Sequence, residues 1–118
     1  MNQPHVVVLG SMNVDLVTKV DKLPLQGETV FAETFLTENG GKGANQAVAA
    51  ARLGAKVSMI GRVGSDDFGQ QILQNLRAES VNTDTVSKDS ETGTGIALIT
   101  VDAQSQNTIV VSSGADVG

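Results

Sequence analysis

Asn39-Gly40-Gly41-Lys42-Gly43-Ala44-Asn45-Gln46-Ala47, continuing through Val48 into Ala49-Ala50-Ala51-Arg52-Leu53-Gly54, is the stretch on which the rest of the chain depends. Three glycines in four residues do not suit a helix interior, whereas the alanine-rich run that follows is among the best helix formers. The glycines therefore mark a helix N-terminus. There the first amides lack intrahelical partners and the helix dipole adds positive partial charge, so bare backbone can approach a polar or anionic ligand closely. Lys42 adds a full charge, and Asn45, about one turn in, offers a donor and an acceptor. Two better-known glycine motifs do not fit. A phosphate-binding P-loop needs Ser or Thr after Gly-Lys, and Gly43 stands there; a dinucleotide fingerprint needs a third glycine where Gln46 stands. A glycine loop that only lets a helix pack tightly is the more ordinary explanation of a bare Gly-Gly pair.

Upstream, Val6-Val7-Val8-Leu9 is a short apolar run ending at Gly10, the pattern of a strand buried on both faces of an α/β sheet. Ligands gather at the carboxyl ends of such strands, which draws attention to Asn13 and Asp15. The Asp15 carboxylate can accept hydrogen bonds from two adjacent hydroxyls and Asn13 can donate and accept, a combination suited to a polyol. The same two residues also serve as ordinary turn formers. From Leu16 to Val20 and from Thr29 to Thr37 the pattern alternates, predicting antiparallel strands with one wet face and a turn at Leu23-Pro24-Leu25-Gln26-Gly27 between them. In the second strand Phe31, Glu33 and Phe35 would share a face, and the two rings would need a cover.

Downstream, Gly54 is placed as the C′ residue of the central helix, and Lys56 to Ile60 reads as a second buried strand, reached by a right-handed crossover. Ser65-Asp66-Asp67 begins another helix as a cap, with Phe68, Ile72, Leu73 and Leu76 on its inward face. A two-carboxylate catalytic site is the sharper reading of Asp66-Asp67, but adjacent helical residues diverge by about 100°. Val81 to Val86 reads as a short strand and Ser87 to Thr92 as a polar loop. Thr94 to Val101 and Asn107 to Val111 read as strands joined by residues 102–106, a connection without glycine. No internal repeat is present.

Composition excludes several classes. The 118 residues carry a net charge of −5, and the 8 Lys and Arg form no patch able to follow a nucleic-acid backbone. No apolar run approaches the roughly 18 residues of a membrane span, and the N-terminus lacks a basic region before an apolar core. The absence of cysteine removes disulfides and thiolate metal sites, and a cytoplasmic location is expected. The lone His5 reads as a surface residue. With 3 Phe and no Trp or Tyr, the core must be built from small aliphatic pieces.

The wider spacing adds a resemblance. Gly40-Gly41-Lys42-Gly43-Ala44-Asn45-Gln46-Ala47, then Gly54, then Gly64, is similar to the N-terminal signature of the ribokinase-like sugar kinases, the phosphofructokinase-B family. Gly10-Ser11-Met12-Asn13-Val14-Asp15, Pro24 with Gly27-Glu28, and Gly61-Arg62-Val63-Gly64 followed by Asp66-Asp67 and Gly69 appear in the same order. The variants Gly-Gly-Lys-Gly-Ala-Asn-Gln and Asn-Val-Asp are those of its ribose-phosphorylating members. The resemblance implies an α/β fold, the N-terminal part of a Rossmann-type α/β sandwich with a small antiparallel β lid, the lid strands lying at about residues 15–37 and 94–112. It implies a substrate site of Asn13, Val14, Asp15, Gly40, Gly41, Lys42, Gly43, Ala44 and Asn45, and a homodimer paired through the lids. It further implies ribose as the sugar, with ATP, Mg2+ and K+ needed by the complete enzyme. The family's catalytic base and its nucleotide and metal sites belong to a C-terminal half expected to lie beyond Gly118, so apolar faces of the sheet are expected to stay open. Ser80 stands where the family has Gly or Asn as a helix stop. A non-catalytic dimerisation module built on the lid strands, and a kinase for another pentose, a nucleoside or a hexose phosphate, stay open as alternatives.

Overall fold

Two sheets divide the chain in the computed structural model, which describes residues 3–117; Met1, Asn2 and Gly118 lie outside the described residues. The first is built on β1 (His5–Leu9), which pairs in parallel with β4 (Lys56–Gly64), with His5 opposite Lys56 and Leu9 opposite Ile60. β4 in turn pairs in parallel with β5 (Val81–Asn82) near its start and with β6 (Val86–Asp89) near its end. The second sheet has the order β3-β2-β7-β8, from β2 (Asn13–Lys19), β3 (Thr34–Gly40), β7 (Gly95–Val101) and β8 (Asn107–Ser112). Its outer pairs are antiparallel as expected, but its central pair, β2 with β7, is parallel.

Two helices bury their apolar stripes on the first sheet. Ala44 and Ala47 of α1 (Lys42–Arg52) and Ile72, Leu73 and Leu76 of α2 (Asp67–Ala78) meet Val8, Val57, Met59 and Val63, with Met12 and Val14 closing the cluster toward the second sheet. The small α1 residues let the helix lie close to the strands, which is how a core without large aromatics reaches native density. Asp66 caps α2, accepting from the Gly69 amide at 2.8 Å, so the cap reading of Asp66-Asp67 holds. Its second oxygen accepts from the Thr94 amide at 3.0 Å, and Thr94 Oγ1 bonds Asp66 at 2.5 Å, tying the start of α2 to the start of β7. Burial would raise this carboxyl, but the Thr94 and Gly69 hydrogen bonds outweigh burial and hold it below its ordinary value. Gly54 takes φ +97°, the conformation its placement after α1 requires, and Ser80 takes φ +66° after α2 without glycine's freedom.

Several expected boundaries move. β1 is not covered on both faces: Val8 is buried, but Val7 and Leu9 remain 64% and 78% exposed, as does Ile60 in part, because both helices lie on the opposite face. The open apolar face expected from the sequence is this one. β3 begins at Thr34 rather than Thr29, since its seven residues match the seven of β2 and nothing beyond Lys19 offers a longer ladder; Glu33 adds one amide bond to the Lys19 carbonyl at 2.7 Å. Phe31 therefore precedes the strand, 92% exposed, instead of sharing a face with Phe35. β4 runs four residues past Ile60, and its extension Gly61–Gly64 recruits Val86–Asp89, so the expected loop at Ser87 is an edge strand. An edge with one paired side tolerates the polar Ser87 and Lys88. In the connection from β7 to β8, Ser105 adopts φ +64° where glycine is usual, and the Asp102 carboxylate supports the turn by accepting from the Gln104 and Gln106 amides, both at 2.9 Å.

Candidate active site

The loop between β1 and β2, the end of β3 and the first turn of α1 meet at one place, and glycine makes the meeting possible. A Cβ on Gly43 would lie 2.7 Å from the Gly10 carbonyl carbon and 2.8 Å from Ser11 N, and a Cβ on Gly41, at φ +95°, would lie 2.6 Å from the Ser11 oxygen. The loop is therefore in backbone contact with the helix start. The Ser11 carbonyl accepts from the Ala44 amide at 3.0 Å, which takes up one of the free amides of the first turn. The Lys42 and Gly43 amides have no acceptor among the described residues. The glycines thus serve the protein's own packing first, and two amides of the helix start are left without an acceptor among the described residues.

Gly40 closes the other side. Its Cα lies against the Asp15 side chain, where a Cβ would meet both carboxylate oxygens within 2.9 Å. Asp15 sits directly opposite Glu38 in the β2–β3 ladder, and burial first, then the Glu38 charge, raise its carboxyl above the usual value. No donor among the described residues reaches it. A half-buried carboxylate facing a like charge and lacking a donor costs stability, and such a cost is typical of a group held ready for a ligand.

Asn13 begins β2 between two glycines, opposite Gly40 on one side and Gly95 on the other. Its side-chain amide faces two acceptors, the Met12 carbonyl and the Asp116 carboxylate, which assigns Nδ2 to both. Asp116, in the 3-10 turn Gly114–Val117, also accepts from the Met12 amide at 3.0 Å. Burial raises the Asp116 carboxyl, with the Met12 bond opposing. Asn13 and Asp116 line a cavity of about 770 Å³ with Ser11, Arg62 and Thr85. Asn45 lies away from it, on a second depression of about 560 Å³ with Glu38 and Asn39. Lys42 and Asn45 are exposed. Val14 and Ala44 belong to the core, so any part they take in a site is through the main chain. Gathered at the glycine junction, then, are Asn13, Asp15, Gly40, Gly41 and Gly43. Asp116 was not anticipated; it contacts a residue 104 positions away, and nothing local in Ser113-Gly114-Ala115-Asp116 signals that pairing.

Among the described residues no three His, Cys, Asp or Glu side chains converge as a metal site. No described helix is long and apolar enough to cross a membrane.

Residues 3–117 match the model of the pfkB family carbohydrate kinases. The chain is 51% identical over 112 residues to a ribokinase of Bacillus subtilis, covering 95% of this chain and 38% of that protein. It is 49% identical to a ribokinase of Schizosaccharomyces pombe, covering 95% of this chain and 37% of that one. Among solved structures, Arabidopsis thaliana ribokinase complexed with ribose and ATP superposes with a TM-score of 0.88 at 38% identity, over 98% of this chain and 37% of that one. The chain thus spans little more than a third of the length of the relatives it matches.

Proposed function

Because the chain belongs to the pfkB family of carbohydrate kinases, we propose that it is the sugar-binding and lid portion of a ribokinase, whose complete form transfers the γ-phosphoryl of ATP to the 5-hydroxyl of ribose. The observation that carries this reading is the Asp15 carboxylate, half-buried, opposed by Glu38 and without a protein donor. Adjacent sugar hydroxyls supply the donors it lacks. The Lys42 and Gly43 amides and the Lys42 charge lie at the end of β3 that carries Gly40, and Asn45 follows one turn later on the depression that holds Glu38, the residue opposite Asp15. Together they hold a sugar in one orientation, and positioning of that kind is the main contribution a kinase makes to phosphoryl transfer. ATP, Mg2+ and K+ act in the complete enzyme through residues outside this chain, and the chain alone does not phosphorylate. The lids of two copies pair through β8, where Ile109, Val110 and Val111 are all exposed. A cytoplasmic site of action accords with a cysteine-free, acidic chain.

The test is calorimetric titration of the chain with ribose, beside Asp15→Ala, with the mass of each measured by light scattering. Loss of one partly buried charge-assisted contact should weaken binding by about 1–3 kcal/mol. Equal ribose affinity in the two proteins would remove Asp15 from the site. A stable dimer with no ribose affinity would favour the non-catalytic lid module.

A further inference from the structure

Asn13 and Asp116 are joined across 103 residues in a way that sugar binding alone does not require. The Asp116 carboxylate accepts from the Met12 amide at 3.0 Å and from the Asn13 side-chain amide, while the second Nδ2 hydrogen of Asn13 bonds the Met12 carbonyl at 2.9 Å. Space for the pair is provided by Gly95, whose Cβ would lie 2.6 Å from the Asn13 side chain and closer still to the Asp116 carboxylate. Asp116 itself is fixed by the turn that carries it. Its own amide bonds the Ser113 carbonyl at 3.0 Å, and the Ala115 amide bonds the Gly93 carbonyl at 2.8 Å, beside a fully buried Ala115 side chain.

We propose that Asp116 is a positioning residue that fixes the Asn13 amide with its nitrogen turned inward, so that Asn13 presents only its carbonyl oxygen to the substrate. A free asparagine offers two donors and one acceptor side; here both donors are spent within the protein. Asn13 and Asp15 then form an acceptor-only edge, which recognises hydroxyl hydrogens and rejects a ligand that brings acceptors to the same place. The donors of the site come from the opposite side, the α1 N-terminus. The sugar half of this inference rests on the function proposed above; the orientation of Asn13 does not.

The experiment is NMR of the 118-residue chain labelled with 15N and 13C, following the Asn13 Nδ2 protons and Cγ, with ribose titrated into the parent, Asp116→Ala and Asp116→Asn. In the parent the two Nδ2 protons should be well separated and slow to exchange with water. In Asp116→Ala they should exchange at least about tenfold faster, and ribose affinity should fall about five- to tenfold, the value of one hydrogen bond of ordinary net strength. Asp116→Asn keeps one acceptor oxygen, which can serve the Asn13 amide or the Met12 amide but not both, and should recover part of that loss, which a merely structural defect would not. Ribose should move Asn13 Cγ while leaving the Nδ2 protons protected. Freely exchanging Nδ2 protons in the parent would overturn the proposal, and so would unchanged protection in Asp116→Ala. If Asp116→Ala does not fold, the parent and Asp116→Asn decide the question alone. Protected Nδ2 protons with no ribose response in the parent would uphold the orientation and count against the sugar-site reading instead.

Discussion

Replacing Gly43 by alanine separates two reasons for a glycine at that position, room for the protein's own loop and room for a ligand. The new Cβ would lie 2.7 Å from the Gly10 carbonyl carbon and 2.8 Å from both Gly10 Cα and Ser11 N, whereas ordinary contact begins at 3.4 Å. All three atoms are backbone, so no side chain can rotate away. The Gly10–Ser11 loop must retreat by about 0.7 Å, the difference between 3.4 and 2.7 Å. A retreat of that size stretches the 3.0 Å bond from the Ala44 amide to the Ser11 carbonyl beyond useful length. Losing that bond costs about 1 kcal/mol and the residual overpacking about 2 kcal/mol, while alanine's better helix propensity returns about 1 kcal/mol. The net expectation is a loss of about 2 kcal/mol, or a melting temperature lower by about 8–12 °C for a chain of this size. Urea and thermal unfolding followed by circular dichroism read both quantities. Gly93→Ala is the control: its Cβ would lie 3.5 Å from the Asp66 carboxylate with an unstrained φ, and stability should change by less than about 0.5 kcal/mol. A Gly43→Ala protein as stable as its parent would refute the packing account and leave ligand approach as the reason for the glycine.

Two further outcomes follow from charge and backbone geometry. Asp15→Asn keeps the shape beside Gly40 but removes the like-charge opposition to Glu38, so it should stabilise the chain by about 0.2–1 kcal/mol while abolishing charge-assisted sugar binding. Because the Asp15 carboxyl is raised, the folded protein keeps that proton to higher pH than the unfolded chain; its contribution favours folding in acid and is lost as pH rises through the ordinary carboxylate range and the raised value, so the stability gain of Asp15→Asn should shrink below that range. An Asp15→Asn protein less stable than its parent at neutral pH would contradict this. Ser80→Gly should add about 0.5–1 kcal/mol, measured by the same urea titration, because Ser80 holds φ +66° at the end of α2; an unchanged midpoint would mean the αL position carries no strain.

The sequence legible by periodicity was the sequence that packs locally. α1 and α2, the caps at Asp66 and Gly54, and the inward stripe of Ile72, Leu73 and Leu76 lay where spacing and capping chemistry placed them, because helix signals are contained within one turn or two. Strand ends were less legible, since the partner decides where a ladder stops. Thr29 to Glu33 alternates as well as Thr34 to Gly40 does, yet only the latter has β2 opposite it. The split of Val81–Asp89 into β5 and β6 likewise depends on two separate portions of β4.

The candidate site divides in the same manner. Local sequence determined that a glycine-rich junction opens α1 with Lys42 and Asn45 in its first turn, and that Asn13 and Asp15 follow the first strand, because backbone conformation and helix polarity are properties of neighbouring residues. Only the tertiary structure decided what the glycines touch, that Glu38 faces Asp15, and that Asp116 lies against the Asn13 amide. Those facts come from register and from contacts between residues as many as 104 positions apart, and such distances leave no imprint on local composition.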